Sequence, residues 1–317
     1  MFFSVRLNLD YMSKVLLVAF DGMDRKLMQK YSCDFLLNMD EVGEINNSSN
    51  TFRIWTTELF VSLITGENYE SHGVRALGKW NNKKLDNLEK FFEQYSFFRD
   101  FNGLRRNFWE FFGFEMQEYC RRDYEQDTLF EKIADSVSID VPGYDVLLSK
   151  GGDKISAFGI EGAVEHQNWI HEKKKEDLFE AIDGEHDFVM GHFHKLDHFH
   201  HWFWEVGQEE PVKKVYEEFD NFAKEIMERA EGKYDYVIFM SDHGLPTDHQ
   251  HNENAFYSCN KPLFEETPLI TDFHDRILEV VGDQDLEEFE VQVENDEGLS
   301  KEQEKEVKKN LEDMGYI

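Results

Sequence analysis

Three times along this sequence a short, largely apolar run ends on acidic or histidine side chains. Val15–Phe20 runs into Asp21-Gly22. Phe188–His192 opens a histidine cluster, and Tyr236–Met240 leads into Ser241-Asp-His-Gly244. Runs this short fit strands buried on both faces of a parallel sheet and are too short to span a membrane. Ser156–Ile160 reads as a fourth strand of the same kind. Helical patterns lie between them. Thr128-Leu-Phe-Glu131 has capping-box form and opens a segment with apolar Leu129, Ile133 and Val137. Pro211–Glu231 carries Val215, Phe219, Phe222, Ile226 and Met227 at helical spacing. Strands alternating with helices predict an α/β/α sandwich with a mainly parallel central sheet. Ligands of such sheets gather beyond the carboxyl ends of the strands, where the acidic and histidine residues fall.

The 317 residues are enough for one large α/β domain, and residues 12–317 read as a single catalytic domain. Residues 1–11 precede Met12 and read as an N-terminal extension. Residues 78–125 are rich in aromatic and arginine side chains, Phe97, Phe98, Trp109, Arg121 and Arg122 among them, without clear alternation of elements. They are expected to form a helical, aromatic-rich insertion or cap. The arginines are expected mainly to pack on rings or pair with carboxylates. After a strongly acidic stretch, Ser300-Lys-Glu-Gln303 repeats the capping-box form, and Val307, Leu311 and Met314 make an apolar stripe. Residues 296–317 therefore read as a C-terminal docking helix.

The charge narrows the partners. Sixty-six acidic against 34 basic side chains give a formal charge of −32. Such a surface repels duplex nucleic acid and anionic membranes, so neither is an expected partner. The excess fits adaptation to high salt, where screening relieves self-repulsion. A small anionic substrate would need local positive charge, which bound divalent cations supply. Cys33, Cys120 and Cys259 form no CxxC pair and read as free thiols in a reducing, cytoplasmic setting.

Each cluster has a bland reading beside the chemical one. Asp21-Gly22 is ordinary turn chemistry, yet a carboxylate at a strand end is placed to hold a cation. Thr56 begins a segment with Phe60, Leu63 and Ile64 as its apolar face; it is either an N-cap or a hydroxyl at a helix N-terminus, where an alkoxide and a phosphoryl group are favoured. His192 to His201 holds five histidines and Asp197. Asp197 and His201 stand four apart, one helical face, which suits a shared metal. Asp242 and His243 follow a strand, with His249 and His251 in the loop beyond.

The ordered set resembles the alkaline phosphatase superfamily, in particular its type I phosphodiesterase/nucleotide pyrophosphatase-like branch and archaeal members of it. The residues that carry the resemblance are Asp21-Gly22, Thr56 before Gly66, Ser71-His-Gly-Val74, Asp197 with His201, Ser241-Asp-His-Gly244, and His251 before Ala255-Phe-Tyr-Ser258. It implies a metal-dependent hydrolase of small phosphate esters that acts through a phosphothreonine on Thr56. One cation would be held by Asp21, Asp242 and His243, the other by Asp197, His201 and His251, with His249 in reserve for His251. Mixed Asp/His donors favour Zn²⁺, then Mn²⁺. Two departures stand out. Leu59 occupies the place where many diesterase relatives carry an asparagine, and Thr57 stands where many have proline, which makes Thr57 a reserve nucleophile. The alternatives are a phosphotransferase or phosphomutase on the same scaffold, or a non-catalytic member that binds metal or ligand.

Overall fold

The computed structural model describes residues 13–47, 51–75, 78–82, 84–85, 88, 114, 116–147, 154–204, 206–247 and 250–282. All belong to the compact unit Met1–Asp283. The extension 1–11, the helix expected over 296–317, most of the aromatic segment and His249 lie outside the described residues.

The strands in chain order are β1 (Val15–Phe20), β2 (Glu41–Glu44), β3 (Gly78–Trp80), β4 (Met116–Glu118), β5 (Ser136–Ile139), β6 (Phe188–Phe193), β7 (Tyr236–Met240), β8 (Gly244–Thr247), β9 (Gln250–Asn252) and β10 (Phe256–Cys259). Among the described residues, six of these form the central sheet in the order β2-β10-β7-β1-β6-β5. The four strands β7, β1, β6 and β5 run parallel, and β10 pairs antiparallel with both β7 and β2. The expected mainly parallel sheet is thus present.

Alternation along β1 shows why the run is apolar throughout. Leu16, Val18 and Phe20 enter one core, and Val15, Leu17 and Ala19 the other. The first core is closed by the helices Arg25–Tyr31 and Glu209–Ala230 and by Leu178 and Ile182 of the helix Lys154–Gly184. The second is closed by the helices Thr56–Thr65, Leu129–Lys132 and Asp272–Val281. Layers on both faces complete the expected α/β/α sandwich.

Two elements differ from the sequence reading. Ser156–Ile160 is not a strand but lies within the helix Lys154–Gly184, where Gly159 has φ +70° and Ile160 is exposed. A short apolar run does not by itself distinguish strand from helix. The fourth parallel strand is instead β5, inside the segment expected to be helical. The capping box of Thr128 and Glu131 does form, with Thr128 N donating to Glu131 Oε2 at 2.8 Å. Its helix ends at Lys132, Ile133 is already extended, and Val137 pairs with Val189 of β6. The described part of residues 78–125 contains an antiparallel pair, β3 with β4. Arg121 there pairs with Glu131 at 2.7 Å and lies over the Tyr124 ring, as the packing reading expects.

Candidate functional site

Parallel register sets the site. Phe20 lies opposite Phe193, Ala19 opposite Met240, and Ile139 opposite Gly191, so these strands end within two residues of one another along the same edge. Asp21 leaves β1, Asp242 and His243 leave β7, and Asp140 leaves β5, all at the carboxyl edge. After β6 the chain turns into the helix Lys195–Phe199, which bears Asp197, and widens into the π-helical turn His200–Trp204, which bears His201. A π-turn is an uncommon device that is frequent at functional sites.

The Asp-Gly turn brings two of these ends together. Gly22 has φ +72°, and a Cβ there would lie 3.2 Å from both Cβ and Oδ1 of Asp197. Its N–H donates to Asp242 Oδ1 at 3.3 Å. Glycine is required by both backbone angle and space.

Asp21, Asp242 and His243 are buried and present ligand atoms within 4.8 Å of one another. His243 Nε2 is 3.2 Å from Asp21 Oδ1 and 3.4 Å from Asp242 Oδ2. A second group of the same spacing is Asp197, His243 and His251. His201 Nε2 joins it, 3.6 Å from Asp197 Oδ2 and 3.3 Å from His251 Nε2. The His243 and His251 rings stack with centroids 3.6 Å apart, so the two groups are contiguous. The first is enclosed; His201, whose side chain is 36% exposed, marks the open side.

Hydrogen bonds fix which nitrogen faces the cluster. His243 Nδ1 donates to Gly244 O at 3.0 Å, and His251 Nδ1 donates to Ile54 O at 3.2 Å. Each Nε2 is thereby turned inward, the arrangement typical of a metal-ligating histidine. Asp21 Oδ1, Asp197 Oδ1 and Asp242 Oδ2 are buried oxygens that accept no hydrogen bond among the described residues. Unpaired carboxylate oxygens facing oriented imidazoles fit divalent cations, because burial without such a partner is costly.

The electrostatics agree. Burial, then the Asp21 charge, pushes the Asp242 carboxyl up to about 8. Burial alone would lower His243, but the charges of Asp242 and Asp21 carry it up to about 10. Burial likewise works against ionisation of Asp21, and contacts with His192 and His243 overcome it, holding its carboxyl well below the usual range. Without a metal, protons take up the excess negative charge of the cluster. Burial and the His243 charge lower His251 to about 4, which keeps its ring neutral.

Thr56 is brought to this cluster. Trp55 occupies the N-cap and Thr56 the first turn of the helix Thr56–Thr65, so the hydroxyl is not spent on capping. Its Oγ1 lies 3.2 Å from His243 Nε2. Thr57 is buried and packs toward Gly143. Leu59 is fully buried in the apolar core. His72 of the Ser-His-Gly-Val motif donates from Nε2 to Ser62 Oγ at 2.9 Å, which ties two helices together.

Several contributors carry no sequence signal of their own. Asp24 accepts from Leu245 N, Asn252 Nδ2 and Asn254 Nδ2 and binds the loop after β7 to the turn after β1. Asn47 donates to the Asp242 carbonyl at 2.5 Å. His192 meets Asp21 Oδ2 at 3.1 Å. His192 stood inside the histidine cluster, but nothing in its spacing distinguished it from its neighbours.

Among solved structures, murine ectonucleotide pyrophosphatase / phosphodiesterase 5 is similar with a TM-score of 0.48 and 16% identity. The match covers 73% of this chain, which spans 57% of that protein's length. Alkaline phosphatase from the Antarctic bacterium TAB5 is similar with a TM-score of 0.44 and 9% identity, over 85% of this chain and 98% of that one. No curated protein matches the chain by sequence. The family model described as type I phosphodiesterase / nucleotide pyrophosphatase matches residues 15–315, nearly the whole chain, and the protein belongs to that family.

Proposed function

We propose that this protein hydrolyses phosphate esters, of the phosphodiester or nucleotide pyrophosphate kind, through a phosphothreonine on Thr56 at a site that holds two divalent cations. The observation that carries the reading is the position of Thr56 Oγ1, 3.2 Å from His243 Nε2 and at a helix N-terminus. Asp21, Asp242 and His243 would hold one cation, and Asp197, His201 and His251 the other. Bound there, the cations favour the ionised threonine and neutralise charge on the phosphoryl and leaving oxygens. Their mixed Asp/His donors suit Zn²⁺, with Mn²⁺ second.

The chain's own residues supply the rest. The threonine hydroxyl gives its proton to solvent water and Oγ1 attacks phosphorus. The Thr56 Oγ1–phosphorus bond forms as the bond to the leaving oxygen breaks, and that oxygen departs with the electron pair and takes a proton from water. Water then attacks the phosphothreonine, its oxygen joins the phosphate, and Thr56 is restored. The helix N-terminus favours negative charge at Oγ1 and at the phosphoryl oxygens. With Leu59 in the core, donors for those oxygens are the first-turn N–H groups near Thr57. Unpaired Cys33 and Cys259 fit a reducing compartment such as the cytoplasm.

The test compares bis-p-nitrophenyl phosphate with p-nitrophenyl phosphate, with Zn²⁺ or Mn²⁺, with EDTA, and at low and high salt. Metal-dependent release of nitrophenol supports the reading, and the ratio of rates chooses diester over monoester. Metal bound without turnover on either compound would overturn it.

A further inference from the structure

A buried charge lies beneath the site and outside its ligand set. Lys174, on the helix Lys154–Gly184, is only 1% exposed. It is ion-paired with Asp140, donates to the His192 carbonyl at 3.0 Å and lies 2.8 Å from His194 Nδ1. Asp140, His192 and His194 have the mutual spacing of a metal-ligand group, and the lysine ammonium is the cation among them. Asp140 stands one residue beyond β5 with φ +56°, a left-handed backbone that residues other than glycine rarely adopt. A buried ion pair is a poor source of stability, since desolvation offsets its attraction. A strained aspartate holding such a pair therefore calls for another role.

The contacts lead from this pair to the site. The main-chain carbonyl of Asp140 accepts from His192 Nδ1 at 3.1 Å. The ring of His192 is further fixed by Phe60, edge-on at 4.8 Å, and by the His194 ring, nearly parallel at 5.7 Å. Held this way, Nε2 faces Asp21 Oδ2 at 3.1 Å. The two oxygens of Asp21 thus have separate surroundings: Oδ2 meets His192, and Oδ1 faces His243 without accepting a hydrogen bond.

We infer that His192 is a positioning residue: seated by Lys174 and Asp140, it occupies one oxygen of Asp21 and directs the other at the cation cluster. This rests on the two-cation reading above. A partner behind a ligand of this kind typically changes metal affinity by about 10–100-fold.

The experiment titrates Zn²⁺ or Mn²⁺ against a chelating indicator for the wild type, His192→Phe, His192→Gln and the paired variant Lys174→Met/Asp140→Asn. Circular dichroism monitors folding. The wild type is expected to bind two equivalents. His192→Phe is expected to weaken one of them by about 10–100-fold and spare the other. His192→Gln, whose amide can still donate to Asp21, should recover most of the loss. The paired variant, which removes both buried charges together, should weaken the same equivalent. Wild-type affinity at both equivalents in His192→Phe would overturn the inference, as would a glutamine variant as weak as the phenylalanine one. If His192→Phe does not fold, wild-type affinity in the paired variant overturns it instead. A wild type that binds no divalent cation sinks the two-cation reading together with the inference. Two equivalents unchanged in every variant sink the inference alone.

Discussion

Oγ1 of Thr56 lies 3.2 Å from Nε2 of His243, although 187 residues separate them in the chain. One comes from the first turn of a helix on one face of the sheet, the other from the carboxyl end of β7. Removing the hydroxyl should leave this scaffold intact. Thr56→Ala is expected to lower turnover by roughly 10³-fold or more while metal binding persists, and Thr56→Ser to retain part of the rate. Steady-state kinetics beside metal analysis check this; undiminished turnover in Thr56→Ala would move the nucleophile elsewhere.

The ligand assignment predicts loss of metal. Asp242→Asn and His201→Ala should each weaken divalent-cation binding by about 100-fold or more, beyond the effect of altering a supporting residue. Equilibrium dialysis reads it, and full occupancy in both variants refutes the set.

The protons of the metal-free cluster predict a dependence on pH. Asp242, at about 8 in the folded state against 3.8 unfolded, adds stability that is fully present below 3.8 and is lost as pH rises from there through 8. His243, at about 10 against 6.5, adds stability that is present below 6.5 and lost as pH rises through 10. His251, lowered to about 4, acts in the opposite sense but only below 6.5. The chelated protein should therefore lose thermal stability as pH rises from 6.5 to 10, more steeply below 8, where both groups contribute, than above it. Zn²⁺ should abolish most of that slope, since a bound cation replaces the protons. A melting temperature independent of pH in EDTA would contradict the charge arrangement.

Gly22→Ala tests the turn that joins Asp21 to Asp197. The left-handed φ of +72° and a Cβ placed 3.2 Å from Asp197 should cost about 1–3 kcal/mol of stability. Displacement of Asp197 should reduce activity more than the stability loss explains. Urea unfolding and kinetics at a temperature where the variant is fully folded separate the two effects.

A formal charge of −32 predicts that the fold is strained by self-repulsion at low ionic strength. Added KCl should raise the melting temperature well beyond the level at which specific pairs are screened. A flat response from dilute to molar KCl would count against adaptation to salt.

The amino-acid chain alone points to the sandwich, because runs such as Val15–Phe20 can be satisfied only between two apolar layers. It also named the side chains at the cluster, because Asp21, Asp242 and His243 come just after strands, where a strand's end fixes the place of the residues that follow, and Asp197 and His201 stand four apart in the segment after β6. It misplaced β5 and the Ser156–Ile160 segment, since a run of four or five residues has no period that separates strand from helix. The rest depends on contacts between segments distant in the chain. The inward Nε2 of His251 depends on the carbonyl of Ile54, 197 residues away. Nε2 of His192 on β6 meets Asp21, 171 residues away, and the His192 carbonyl accepts from Lys174, buried on the helix Lys154–Gly184. Such choices are made by long-range hydrogen bonds between groups that burial forces to find partners, and no local pattern encodes which partner each will meet.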